Sequence, residues 1–107
     1  QWCWKLMIRT PECVGTEDME KAREALASRG KGEGVDRVVL ESLEEGRCIQ
    51  MLHVGPYDQE VRTIGVMLEF AGENDLTRRG RHHEIYLSDP RRVPGERLKT
   101  ILRMPVG

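Results

Sequence analysis

The sequence predicts an α+β fold: an antiparallel sheet with two helices on one face. Three observations predict it. Period-two patterning runs through Trp2–Arg9 and Arg81–Leu87, and Arg47–Val54 is a short run largely apolar on both sides; both are strand signals. Two other stretches, Thr16 to about Ser28 and Asp58 to about Asn74, repeat their apolar residues at helical spacing. Turn residues punctuate the runs, at Thr10-Pro11, Gly30–Gly34, Glu45-Gly46, Gly55-Pro56 and Ser88-Asp89-Pro90. The resulting order is strand, helix, strand, strand, helix, strand, strand.

In the first strand, Trp2, Trp4, Leu6 and Ile8 share one face, and Cys3, Lys5, Met7 and Arg9 the other. Two tryptophans on one face are either core anchors or the wall of an aromatic pocket. Thr16 is placed to cap the first helix, with Glu17 and Asp18 in the first turn where the helix dipole favours negative charge. Met19, Ala22, Ala25 and Leu26 form its apolar stripe. Gly30-Lys31-Gly32-Glu33-Gly34 lacks the GxxxxGK[ST] spacing of a phosphate loop and reads as a flexible connector.

Val38–Glu44 and Arg47–Val54 read as a hairpin turned through Glu45-Gly46. The second of these is apolar on both sides, as a central strand covered on two faces would be. His53 at its end reads as a hydrogen-bonded structural histidine. Asp58 is placed to cap the second helix, whose buried stripe is Val61, Ile64, Leu68 and Ala71. Gly65 costs that helix about 1 kcal/mol against alanine, which suggests close packing on the sheet. A polar loop, the Arg81–Leu87 strand, a short helical piece near Pro94–Leu98 and a last strand, Thr100–Val106, complete the chain.

Composition excludes several functions. At 107 residues this reads as a single domain, and such a chain buries about two thirds of its unfolded surface. The formal charge is −1 and the pI about 6.4, so nothing drives the chain onto nucleic acid or anionic lipid. No apolar run approaches the ~18 residues of a membrane span, and no basic region followed by an apolar core marks a secretory signal. Cys3, Cys13 and Cys48 are odd in number and widely spaced, fitting neither a zinc site nor a disulfide framework; the expected compartment is the cytoplasm. His82 and His83 are adjacent and point to opposite faces of a strand, so they cannot chelate one ion; no metal and no cofactor is expected.

The stretch that carries chemistry is Arg81–Pro90, RHHEIYLSDP. His83, Ile85 and Leu87 share a largely apolar side, suited to lie under helices. His82, Glu84 and Tyr86 share the other, an imidazole, a carboxylate and a phenol in a row. Glu84 either faces water, as most strand glutamates do, or sits at the floor of an apolar cavity, where a cation or a proton must meet it.

HHEIYLSDPRRV, with Pro94-Gly95-Glu96 and LKTILRMPV after it, resembles the closing part of the GyrI-like small-molecule-binding domains. CIQMLHVGPYDQE (Cys48–Glu60) and WCWKLMIRTPE (Trp2–Glu12) extend the resemblance over nearly the whole chain. It implies a domain built of two strand–helix–strand–strand modules. Here one module is complete, with its core at 47–107, and residues 1–46 supply a strand, a linking helix and a hairpin strand as remnants of another. The resemblance also implies that Glu84 faces lipophilic or cationic aromatic ligands, with Trp2, Trp4, Tyr57, Tyr86 and His82 around it. The expected activity is therefore drug or toxin binding, with self-association into a twofold homodimer that brings two Glu84 carboxylates to a shared cleft.

An enzyme remains the alternative. Some GyrI-like proteins, the cyclopropanoid cyclohydrolase type, open the cyclopropane ring of DNA-alkylating natural products. Glu84 would then activate the attacking water and Tyr57 assist the departing carbonyl oxygen. A third reading, an effector-sensing or gyrase-inhibitory partner protein, follows from related domains; no helix-turn-helix accompanies it here.

Overall fold

A computed structural model describes residues 3–107. The chain falls into two compact units, Gln1–Leu43 and Glu44–Gly107, and each is described by itself. Trp2 lies outside the described residues.

In the first unit the one long element is α1, Thr16–Ser28. Its N-cap is Gly15, one residue before the predicted Thr16, and Gly15 N–H donates to Asp18 Oδ2 at 2.8 Å. The Asp18 side chain therefore satisfies a donor at the helix start from inside the first turn. At the other end Gly30 takes the left-handed conformation (φ 71°), and Lys31 N–H returns to Leu26 O at 2.8 Å. That is a helix stop built on a glycine, so the expected flexible connector is in part a defined cap.

The strands expected at Trp2–Arg9 and Val38–Glu44 are corrected by the structure: the described residues of both form no ladder. Lys5 pairs with Glu41 and Arg23 donates to Val38 O, so side chains, not a sheet, tie these stretches. Alternation determines which side chains share a face, but a strand also needs partners for its N–H and C=O groups. It needs a layer to bury its apolar face as well, and Ile8 is 90% exposed.

The second unit holds β1, Cys48–Val54; α2, Glu60–Glu73; β2, His83–Tyr86; and β3, Lys99–Pro105. The sheet is antiparallel throughout, in the order β1-β3-β2. The class is α+β, as predicted. β3, which is last in the chain, is central, and β1 is an edge instead of the expected central strand. Its second apolar side is only partly covered, since Leu52 and Val54 are about half exposed. Gly46 turns the chain with φ 67°, but into β1 alone and not between two strands of a hairpin.

Register assigns the faces. Thr100, Leu102 and Met104 of β3 are buried, and Met67 of α2 packs with Leu102, Met104 and Val106 in one core, with Ile49, Ile64 and Leu76 against it. Each fully buried side chain of this kind contributes roughly 1.5–3 kcal/mol. The buried stripe of α2 is Glu60, Ile64, Met67 and Ala71, whereas Val61 is 71% exposed and Leu68 about half. The expected stripe shares Ile64 and Ala71 but is rotated by one residue at the other two positions. Gly65 is exposed and a β-carbon there would touch nothing, so its expected close packing on the sheet is not found.

Candidate functional site

The sheet face that carries α2 also carries the carboxylate. Glu84 pairs across the ladder with Leu102, and Tyr86 with Thr100, so both point to the side of the buried Leu102 and Thr100. This reverses the sequence expectation, in which His83, Ile85 and Leu87 lay under helices. Alternation alone separates two faces without saying which one a helix covers. α2 leans over β1 and β3 and leaves the β2 border of the same face open, where Tyr86 is about half exposed.

The HVGPY turn positions the rest. His53 is 5% exposed; one ring nitrogen, Nε2, lies 2.9 Å from Pro56 O and the other, Nδ1, 2.7 Å from Thr63 Oγ1. A carbonyl only accepts, so Nε2 carries the proton and the Thr63 hydroxyl donates to Nδ1. His53 thus pins the turn to α2, which is the structural role read from the sequence. Gly55, at φ 134° with its N–H on Leu98 O at 2.8 Å, makes the bend. Tyr57–Gln59 then form a short helical turn leading into α2. Tyr57 and Tyr86 meet edge to face, with centroids 5.6 Å apart and planes at 73°, a favourable aromatic geometry.

Around Glu84, the Tyr86 hydroxyl donates to Oε2 at 2.9 Å and His82 Nε2 stands 4.0 Å from Oε1. The first residue of α2 completes the set. Glu60 is 7% exposed and its Oε1 has no hydrogen-bond partner. Burial, reinforced by Glu84, pushes the Glu60 carboxyl up to about 8. The Glu84 carboxyl is held below the usual range by Glu60, then by Tyr86 and the nearby His82. Burial and Glu84 raise the Tyr86 phenol to about 12. The site is thus one ionised carboxylate, one protonated carboxyl and two tyrosines.

Glu84, Tyr86, Tyr57 and His82 come together. Trp4 belongs to the other unit, on a segment without regular structure, and is 69% exposed. Glu60 escaped the sequence reading because an acid at a helix start is ordinary surface chemistry. The signal that could have found it is its place on the stripe with Ile64, Met67 and Ala71, where a carboxylate has no packing reason to be.

The opposite sheet face holds a second polar group. Glu45 accepts from His83 Nδ1 and Arg103 Nη1, each at 2.8 Å, and Arg103 Nε donates to Gln50 Oε1 at 2.9 Å. His83 and then Arg103 hold the Glu45 carboxyl below its ordinary range. Every member is partnered, so this is a clamp between the chain before β1 and the sheet. Arg91 and Arg92 project into solvent beside Asp89. Two clefts, of about 620 Å³ beside Val54, Leu87, Arg97 and Lys99 and about 370 Å³ between Met51, Val66 and Phe70, are not lined by Glu84. Among the described residues no group of three His, Cys, Asp or Glu side chains could hold a metal ion. No helix there is long and apolar enough to cross a membrane.

An antiparallel sheet with a helix packed on one face is an α+β domain, and the open border of that face carries Glu84 beside Tyr86 and Tyr57. The chain belongs to the GyrI-like small molecule binding domain family, whose model matches residues 2–106, as the motifs implied. Among solved structures it is similar to a hydrolase from Listeria innocua, at 41% identity and TM-score 0.85, over 92% of this chain and 52% of that one. An uncharacterized conserved protein from Listeria innocua is 44% identical with TM-score 0.87, over 92% and 50%. Another hydrolase structure from that organism is 42% identical with TM-score 0.84, again over 92% and 50%. The chain thus spans about half the length of these structures. Among curated proteins no relative matches it.

Proposed function

We propose that the chain binds small lipophilic or cationic aromatic compounds at Glu84, as a drug- or toxin-binding domain with its module core at 47–107. One observation carries this: the ionised Glu84 carboxylate stands beside two tyrosine rings packed edge to face. A delocalised cation gains from the charge and from the ring faces, roughly 0.5–2 kcal/mol for each cation–π contact. Flat aromatic walls and one charge recognise a class of compounds, not a single one. The test is the fluorescence anisotropy of a rhodamine dye titrated with wild type and Glu84→Gln. Affinity at least tenfold weaker in the variant, about 1.4 kcal/mol, supports the site; equal affinity sinks it.

The hydrolase reading is favoured by the similarity to hydrolases from Listeria innocua at 41% and 42% identity. Glu84 would serve as the base for an attacking water, opening a cyclopropane ring of a DNA-alkylating compound, and Tyr57 would donate to the carbonyl oxygen that gains charge. The hydroxyl bonded to Glu84 belongs to Tyr86, which leaves the Tyr57 hydroxyl to meet a ligand. Loss of turnover in Tyr57→Phe with dye affinity retained supports catalysis; unchanged turnover removes Tyr57 from it.

Self-association into a homodimer belongs to the same proposal. The apolar surface that favours it is the sheet face away from α2, where Leu52, Val54 and Leu87 are about half exposed. A dimer through that face keeps the two Glu84 sites separate, in place of the shared cleft expected from the sequence.

A further inference from the structure

Successive side chains of β3 alternate between the two sheet faces. Thr100 is buried on the α2 side, so Lys99, the first residue of the strand, points to the other face. An apolar side chain stands on each side of it. Val54 is its ladder partner on β1, and Leu87, just past β2, donates its N–H to Lys99 O at 3.0 Å. Val54 and Leu87 are 54% and 55% exposed. Together with Val93, Pro94 and Arg97 this row lines an open cleft of about 620 Å³, a volume that suits a small organic molecule.

The turn that borders the cleft is held by its own bonds. Asp89 O accepts the N–H groups of Arg92 and Val93 at 3.0 and 3.1 Å, and Asp89 Oδ1 accepts that of Arg91 at 2.9 Å. The Asp89 carboxylate also takes the Arg91 guanidinium, with that of Arg92 3.9 Å away. Its charge is therefore already committed. Arg97 and Lys99 differ, since among the described residues neither forms an ion pair. Glu96 is the one acid on the lining, against Arg92, Arg97 and Lys99, so the cleft carries an excess of positive charge. Ser88 adds a neutral donor. Its Oγ accepts the Lys99 N–H at 3.1 Å, which leaves the hydroxyl proton to donate elsewhere.

We propose that this cleft binds small amphipathic organic anions, carboxylates or sulfonates whose apolar body lies on Val54 and Leu87 and whose charge meets Arg97 and Lys99. A guanidinium presents a planar fork to two oxygens at once, and an ammonium adds a point charge beside it. Both are exposed, so water and salt weaken them, and charge alone binds poorly. An apolar body that covers Val54 and Leu87 adds the burial that a plain inorganic anion lacks. The cleft is independent of Glu84, which points to the α2 side and attracts the opposite charge. The second unit thus carries two small-molecule sites of opposite charge preference, one on each face of its sheet.

Fluorescence titration with anilinonaphthalene sulfonate tests it, at low protein concentration to keep self-association out of the comparison. Phenylnaphthylamine, the same ring system without the sulfonate, is the control probe. Wild type should bind the sulfonate saturably and the control about tenfold more weakly. Arg97→Gln combined with Lys99→Gln should weaken the sulfonate about tenfold, with control affinity and thermal midpoint unchanged. Leu87→Asn should weaken both probes. Raising salt from about 50 to about 500 mM should weaken the sulfonate on wild type and not on the double variant. Rhodamine affinity should be equal in wild type and double variant, so that failure of either site leaves the other standing. No saturable sulfonate binding, equal sulfonate affinity in wild type and double variant, or equal affinity of wild type for both probes overturns the proposal. Sedimentation with phosphatidylglycerol vesicles in place of sulfonate binding also overturns it, and would make the basic cleft a membrane contact.

Discussion

At the scale of single residues, Glu60 makes the stability of the fold depend on pH in an unusual sense. Its carboxyl ionises near 4.5 as a free group and at about 8 in the fold. Between those values the folded chain holds a proton that the unfolded chain has lost, so stability falls as pH rises through the window and levels above it. Glu84 and Glu45 act oppositely, because their carboxyls are held low. Their contribution is present above the ordinary carboxylate range and lost as pH falls through their folded values. Thermal melts should therefore show wild type losing stability from about pH 6 to 8, with Glu60→Gln flat over that range; parallel curves would remove the held proton from the account. His53 offers a second test at this scale. His53→Ala leaves Pro56 O and the Thr63 hydroxyl without the ring that joins them, at a cost of about 1–3 kcal/mol. The turn carrying Tyr57 should loosen with it. Urea denaturation and dye affinity should both respond, and a loss of stability with dye affinity intact would detach the turn from the site.

At the scale of elements, α2 gives the next prediction. Gly65 faces solvent with room for a β-carbon, so Gly65→Ala should stabilise the fold by about 0.5–1 kcal/mol through helix propensity. A lower urea midpoint in the variant would mean that something packs on that face. The same helix shows what the sequence made legible. α1, α2, β1 and β3 fall where period and turn residues placed them, because those signals are local. The burial stripe of α2 was legible only in part, since Ile64 and Ala71 fit two stripes and the Met67 position was settled by Leu102 and Met104, far along the chain. Trp2–Arg9 and Val38–Glu44 have good alternation and no ladder partner among the described residues. Pairing is a non-local property that alternation does not report. Of the site, Glu84, Tyr86, His82 and Tyr57 were visible as a polar row and a turn motif. Which sheet face they occupy, and the presence of Glu60, depended on where α2 lies.

At the scale of the whole molecule, the sheet face turned away from α2 carries half-exposed apolar side chains, Leu52, Val54 and Leu87. Ladder register places Leu52, Ile101 and Ile85 in one row across all three strands, with Val54 and Leu87 toward one end. On the other side lies the polar row of Gln50, Arg103 and His83, held by Glu45. An apolar centre beside a charged rim is the anatomy of an association surface. The proposed homodimer would use it, and a twofold contact would set each Leu52–Ile101–Ile85 row against its copy. Sedimentation equilibrium should then show a mass that rises with concentration toward twice that of the chain. Leu52→Lys, which puts two like charges into that contact, should hold the protein at the single-chain mass with little change in its own stability. Rhodamine affinity at Glu84 should not change in this variant, because Glu84 points to the opposite face. A single-chain mass for wild type at every concentration would remove the dimer. Dissociation accompanied by loss of dye binding would instead mean that the two sites share a cleft, contrary to the register of β2 on β3.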